Sequence, residues 1–397
     1  MTPVGRALAF TLALLTIFGP ISMDVYLPVL PALTSDLGAS MSTAQATLTA
    51  CLLGLAVGQV IAGPLSDRFG RRRPLLIGIV AYTVTSLLCA VSPTIETLIA
   101  ARFTQGLAGA VGLVLAQAAG RDMYSGGRLV RFYGRLTVLG GLAAIVGPVV
   151  GGQLARVTTW RGIFVVLSIV GVAILLTCWA VFVETLSEDR RISGGLGRTG
   201  NDMRRLLHDR TFVGAVLVAG FVSAALFGYL SGATYALQNI YGLTPQGYAL
   251  AFGLNSLGFM TCGFIAGRLS EKWSERKTLA VGLAICLLGA AGILFTGLLE
   301  LPLYALVASL FTLACGAATT MPPAASIALT GYPDIAGTAS SALGLTRFAL
   351  GGLAAPLVGL GGAHTAVPLG IVTVSAIALA CITFAALTRH RPEVAVS

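Results

Sequence analysis

Residues 63–74 read GPLSDRFGRRRP, and their place between two long apolar runs decides how the whole chain is built. Five charges, Asp67, Arg68, Arg71, Arg72 and Arg73, fall within seven positions of a chain in which only 10% of residues are charged. On either side the sequence turns apolar: 56% of the 397 residues are hydrophobic, and the mean hydropathy is +0.89. A water-soluble protein carries roughly a quarter charged residues. So large an apolar surplus cannot hide in one core and has to face lipid.

A hydrocarbon layer of about 30 Å takes about 20 apolar residues per helix. By that measure the sequence predicts twelve spans, at 6–34, 41–64, 74–91, 94–119, 130–155, 160–183, 211–238, 245–267, 278–298, 302–325, 334–360 and 364–388. The runs are too long for barrel strands and do not alternate with polar residues. The expected fold is an all-α polytopic membrane protein. The first run exceeds the apolar core of a signal peptide and leads into Asp24 and prolines, so it is expected to remain as a span.

The formal charge of +10 has a simple distribution. Lys and Arg gather in the even-numbered connections and at both ends of the chain, while the odd connections hold only Arg156 and Arg161. That asymmetry predicts both termini in the cytoplasm. It explains the basicity through anionic lipid, with no nucleic acid among the expected partners. The seven cysteines fall inside spans without close pairing and read as small packing residues. His208, His364 and His390 lie in expected loops or tails, and the sequence holds no H-E-x-x-H, Cys/His cluster, G-x-S-x-G or phosphate-binding loop. Neither an enzyme nor an ATP-driven pump is expected, and no cofactor or metal.

The longest polar stretch, 184–210, mixes both charge signs with glycines and reads as a cytoplasmic linker, with 204–210 as an interfacial helical turn. It divides the chain into a six-span bundle at 1–183 and another at 211–397. The opening stretch has an echo across that divide. GPLSDRFGRRR (63–73) aligns without gaps to GRLSEKWSERK (267–277), and ARFTQGLAGA (101–110) to SLFTLACGAA (309–318), at offsets of 204 and 208. Offsets near half the chain point to two parallel copies of one six-span unit.

Three motifs carry a family resemblance. The 63–74 loop is similar to the G-x-L-a-D-r-x-G-r-r loop of the major facilitator superfamily, RFTQGLAGA in span 4 to its R-x-x-q-G motif, and GPVVGG (147–152) in span 5 to the G-P-x-x-G-G signature of its antiporters. MDVYLPVLP (23–31) and TWRGIF (159–164) narrow the resemblance to the Bcr/CflA-like drug:proton antiporters. Arginine outnumbers lysine 23 to 2, in keeping with a GC-rich bacterial genome. The resemblance implies a working monomer in the bacterial cytoplasmic (inner) membrane. It would export small amphipathic drugs in exchange for protons by alternating access. The alternative is a proton-coupled carrier of a sugar or metabolite.

Each motif also has a physical reading. In the loop, Asp67 can pair with arginines and helix-start amides; the resemblance implies that Asp67, Arg68 and Arg72 form a gating latch, the plainer alternative being arginines that only fix topology. In span 5, Pro148 breaks a backbone hydrogen bond, while Gly147, Gly151 and Gly152 admit a close neighbour. That suits a hinge and a proton seal, or simply a kinked packing helix.

Three charges lie well inside the spans: Asp24, Arg102 and Arg347. Such groups cost roughly 2.5–3.5 kcal/mol at mid-helix and default to function. Asp24 and Arg102 sit about 15 Å and 12 Å from the outer ends of their spans, at similar depth. The opposed effects of burial and of a nearby cation leave Asp24 able to load and unload a proton, with Arg102 tuning it; a static Asp24–Arg102 pair is the other reading. In the internal repeat Arg102 falls on Leu310 and Asp24 near Gly228, which places proton coupling in the first bundle. Tyr26, Tyr229, Tyr235, Asn255, Met321 and Arg347 are the candidate substrate contacts. Arg347 could equally pair with lipid-side groups or lock helices.

Overall fold

Polar punctuation sets where the helices begin. In the computed structural model, which describes residues 3–123, 132, 136, 143, 146–187, 191, 196–332, 335–362 and 365–387, α1 covers Pro3–Asp24 and α2 Leu30–Asp36, joined by a 3-10 turn at Leu27–Val29. The single span expected at 6–34 is therefore a broken helix, bent by 48° between Phe10–Thr16 and Ile21–Asp36. Pro20, Pro28 and Pro31 have no amide hydrogen to give the helix, which accounts for the break.

α3 (Met41–Phe69) starts at Ser40, whose hydroxyl accepts from the Thr43 amide at 3.1 Å. α4 (Arg72–Ala90) follows Gly70, which holds φ at +85° and so turns the chain where a side chain would be strained. α5 spans Ile95–Met123, α6 the helical residues 146–157, and α7 Trp160–Val181. The linker region carries a helix, α8 (Leu196–His208), longer than the turn expected there; its Leu206 is fully buried, which ties the helix to the bundle.

α9 (Arg210–Tyr235) is capped by Asp209, α10 (Pro245–Lys272) by Thr244 and α11 (Glu275–Leu298) by Ser274, each side chain accepting from an amide two or three residues on. α12 (Leu303–Leu329), α13 (Ala336–Gly359) and α14 (Val367–Leu387) complete the chain. Ten of these helices are long and apolar enough to cross a membrane, or eleven with the bent first span, among the described residues. The fifth expected span, 130–155, lies partly outside the described residues.

The first set of helices, α1–α7, meets the second, α9–α14, chiefly where α3 packs antiparallel on α13. Ser42 Oγ donates to the Pro356 carbonyl at 3.0 Å, and Thr49 Oγ1 to the Gly352 carbonyl at 2.5 Å. Thr34 Oγ1 shares a hydrogen bond with the Tyr235 hydroxyl at 2.5 Å, Gln238 donates to the Pro28 carbonyl at 3.1 Å, and Gln246 to the Gly152 carbonyl at 2.8 Å. All these bonds gather toward the end of the molecule opposite the 63–74 loop.

Candidate functional site

Asp24 is the last residue of α1, at the break, and only 8% exposed. Among the described residues its carboxylate has no hydrogen bond or ion pair, and α6 packs directly on it. A Cβ on Gly147 would come within 2.6 Å of the Asp24 Cβ, and one on Gly151 would run into the Val25 carbonyl. One residue further along α6, a Cβ on Gly152 would lie 2.9 Å from the Ala249 Cβ of α10. The GPVVGG stretch thus wedges between the broken first span and the second set of helices. Glycine is required at Gly151 because its backbone meets the Val25 backbone, and a side chain at Gly147 or Gly152 would meet the Cβ of Asp24 or Ala249.

Arg102 is fully buried but does not pair with Asp24. Its NH1 donates to Gln105 Oε1 at 2.6 Å, and Gln105 Nε2 donates on to Ser86 Oγ at 2.7 Å. The guanidinium lies 4.9 Å from the Tyr26 ring and 5.5 Å from the Phe164 ring. Cation–π attraction of about 2 kcal/mol in such a desolvated setting offsets part of its burial cost. Among the described residues its Nε and NH2 have no hydrogen-bond partner. The alternative of a static Asp24–Arg102 pair is therefore set aside in this state: Asp24 turns to α6, while Tyr26, two residues on, faces the arginine and shares a 3.0 Å hydrogen bond with Thr47.

From the second set, Asn255 Nδ2 donates to the Tyr229 hydroxyl at 2.9 Å, and the Phe252 ring stacks on Tyr229 with 6.2 Å between centroids. Asp24 lies on Gly147 of α6, and Ala249, next to Tyr248, lies on Gly152 of the same helix, so the acid and this part of α10 meet the same glycine stretch. Tyr248 and Phe252 were missed by sequence reasoning; the signal was present as an aromatic pair four apart on α10, with Asn255 on the same face. Tyr235 is engaged with Thr34. Met321 is partly buried beside Pro322, and Arg347 Nε donates to Ser223 Oγ at 3.3 Å, with no ion pair among the described residues.

The charged loop forms a second cluster. Arg71 NH1 meets Asp67 Oδ1 at 2.6 Å and Ser66 Oγ at 2.6 Å, and its Nε meets Asp122 Oδ2 of α5 at 3.0 Å. The cation that holds Asp67 is Arg71, not Arg72 as the sequence suggested. The turn at Gly70 swings Arg71 inward, four residues from Asp67, whereas Arg72 NH2 reaches the Trp179 carbonyl at 2.9 Å and Arg68 lies over Phe69. Glu184, just past α7, accepts from the amides of Arg71 at 2.8 Å and Arg72 at 3.2 Å, capping α4. Burial pushes its carboxyl up, but the Arg71, Leu186 and Arg72 amides outweigh that and hold it below the ordinary range. The expected echo at 267–277 is built differently: Glu275 stands where Arg71 does and accepts from Ser326 Oγ. The side chains of Glu271 and Lys272 lie outside those described.

With this geometry in view, a model of the Major Facilitator Superfamily matches residues 12–356. An uncharacterised MFS-type transporter of Bacillus subtilis, YdgK, is 38% identical over 98% of both chains. A bicyclomycin resistance protein homolog of Haemophilus influenzae is 30% identical over 90% of both. Among solved structures, a bacterial homolog of the human lysosomal transporter Spinster, in an inward-facing and unoccupied conformation, superposes with a TM-score of 0.76 over 97% of this chain and 96% of that one. At 15% identity that likeness speaks for the fold alone.

Proposed function

This chain belongs to the Major Facilitator Superfamily, and from that membership we propose that it is a proton-driven exporter of small amphipathic antibiotics. The observation that carries the proposal is Asp24: a nearly buried carboxylate at a helix break, without a hydrogen bond or ion pair among the described residues, and held under a glycine-lined helix. The resistance named for the Haemophilus influenzae relative supports the choice of cargo.

The positive-inside asymmetry orients the molecule with both termini and the 63–74 loop in the cytoplasm. On that orientation the hydrogen bonds between bundles 1–183 and 211–397 lie at the outer end, as an inward-facing state would require. Drug enters from the cytoplasm or inner leaflet while Asp24 is ionised. Rocking of the bundles about the 184–210 linker exposes the site outward, a proton neutralises Asp24 and drug leaves. The protonated form returns inward and Asp24 gives its proton to the cytoplasm, which closes the cycle. Proton entry supplies about 2.3 kcal/mol per 100 mV of membrane potential for each charge. Arg102 cannot lose its proton and acts by setting the potential around Tyr26 and its neighbours. Gly147, Pro148, Gly151 and Gly152 seal the path beside Asp24, and the Asp67–Arg71 cluster, with Arg68 and Arg72 at its rim, holds the cytoplasmic ends of the first bundle together. Tyr26, Tyr229, Tyr235, Asn255, Met321 and Arg347 are the side chains proposed to meet cargo.

The test is an antibiotic panel against cells carrying the wild type or Asp24→Asn, with equal protein in the membrane. Resistance to at least one compound that Asp24→Asn abolishes supports the reading. Full efflux by that variant moves proton coupling elsewhere.

A further inference from the structure

The outer closure joins α3 to α13 through backbone carbonyls that have no partner within their own helix. Gly352 would ordinarily give its carbonyl to the amide of residue 356, but that residue is proline and has none. Thr49 Oγ1 takes the place of the missing donor. The Pro356 carbonyl lies in the last turn of α13, where intrahelical donors run out, and Ser42 Oγ fills it. Both donors sit on one face of α3, at positions 42 and 49.

Gln45 sits on the same face between them and makes no such bond. Its side chain is fully buried, and a Cβ on Gly359 would run into its Oε1. Among the described residues, neither Oε1 nor Nε2 has a hydrogen-bond partner. A buried carboxamide in that condition gives up its hydration for nothing.

We propose that Gln45 is a built-in opposing group in the outer gate: Ser42 and Thr49 hold α3 on α13, and the stranded Gln45 amide keeps that closure weak enough to reverse. When α3 and α13 part, the amide regains water and the two hydroxyls lose their carbonyls, so the two access states stay close in free energy. A gate made only of satisfied contacts would stop the cycle in the inward-facing state. The inference rests on the alternating-access reading above, but not on the identity of the cargo.

The experiment is a spin-label distance measurement on the full chain in liposomes, with labels at the exposed residues Ser35 and Leu360 on either side of the gate. No drug and no pH gradient are present. Gln45→Met, similar in length but apolar, raises the closed-to-open ratio roughly tenfold and slows turnover. Gln45→Glu, similar in shape but costlier to bury, lowers the ratio, as does Thr49→Val. An unchanged or lowered ratio in Gln45→Met overturns the proposal, and so does a raised ratio in Gln45→Glu. Because the ratio is read without cargo, a failed antibiotic panel leaves this result standing. A ratio that ignores Gln45 in a protein still exporting drug overturns the gate alone.

Discussion

Gly147 of α6 stands so close to Asp24 of α1 that a Cβ on the glycine would come within 2.6 Å of the aspartate's own Cβ. The acid is thereby clamped against the opposite helix by backbone, not by a charge. Gly147→Ala forces α1 and α6 apart or displaces the carboxylate, at a packing cost of about 1–3 kcal/mol. The expected outcome is loss of proton-driven efflux with the protein still folded, and a leak of protons into vesicles when no drug is present. A pH-sensitive dye inside proteoliposomes reads both. Normal coupling in Gly147→Ala would show that this contact has no part in the seal.

Arg71 is the centre of the loop cluster, and its side chain and that of Asp122 are nearly buried, whereas that of Asp67 is 42% exposed. Removing the arginine leaves Asp122 as an uncompensated buried charge, at a cost of about 3–5 kcal/mol. Asp67→Asn removes a partner that is partly open to solvent and leaves Arg71 paired with Asp122, at a smaller cost of about 1 kcal/mol. Thermal unfolding in detergent should therefore rank Arg71→Ala well below Asp67→Asn, with Arg72→Gln near the wild type. The reverse order would return the central role to Arg72.

Arg102 depends on its shape as much as its charge. The planar guanidinium lies near the Tyr26 and Phe164 rings while bonding Gln105, and an ammonium cannot do both. Arg102→Lys is expected to lower efflux at least tenfold, measured as drug accumulation in energised cells. Tolerance of lysine there would reduce Arg102 to a simple positive charge.

At the opposite end Asp36 Oδ2 accepts from Trp160 Nε1 at 2.8 Å and from Arg161 NH1 at 2.5 Å, tying α2 to α7. The Trp160 and Arg161 hydrogen bonds hold the Asp36 carboxyl below its ordinary value. A lowered acid stabilises the fold above its unfolded pKa of about 3.9 and loses that contribution only as pH falls through the lower folded value. Trp160 fluorescence is expected to stay constant from pH 7 to 5 and to change only in stronger acid. Asp36→Asn should remove that acid transition. A change centred near pH 6 that vanishes in Asp36→Asn would contradict the assignment.

Much of this was legible in the residues, and the misses have physical causes. Long apolar runs and the loop charges gave the spans, because lipid tolerates little else over such lengths. The break in the first span was foreshadowed by Pro20 and Pro28, yet its position beside Asp24 depends on α6 packing there, which no linear pattern encodes. Arg71 and Arg72 are equivalent on paper; only the turn at Gly70 decides which one points inward. α8 was underestimated because its polar composition hides a single anchoring leucine, Leu206. Tyr248 was overlooked because an aromatic in an apolar run looks like any other packing residue until its neighbours from another span are known.

The closure between α3 and α13 draws its acceptors from the main chain, and that has an evolutionary consequence. Apart from Pro356, Gly352 and Gly359, which lie against α3, the rest of α13 can change its side chains without surrendering the oxygens that Ser42 and Thr49 grip. Selection for new compounds and selection for a tight barrier therefore act on different atoms of one helix, so the range of molecules expelled can drift while the seal is inherited intact.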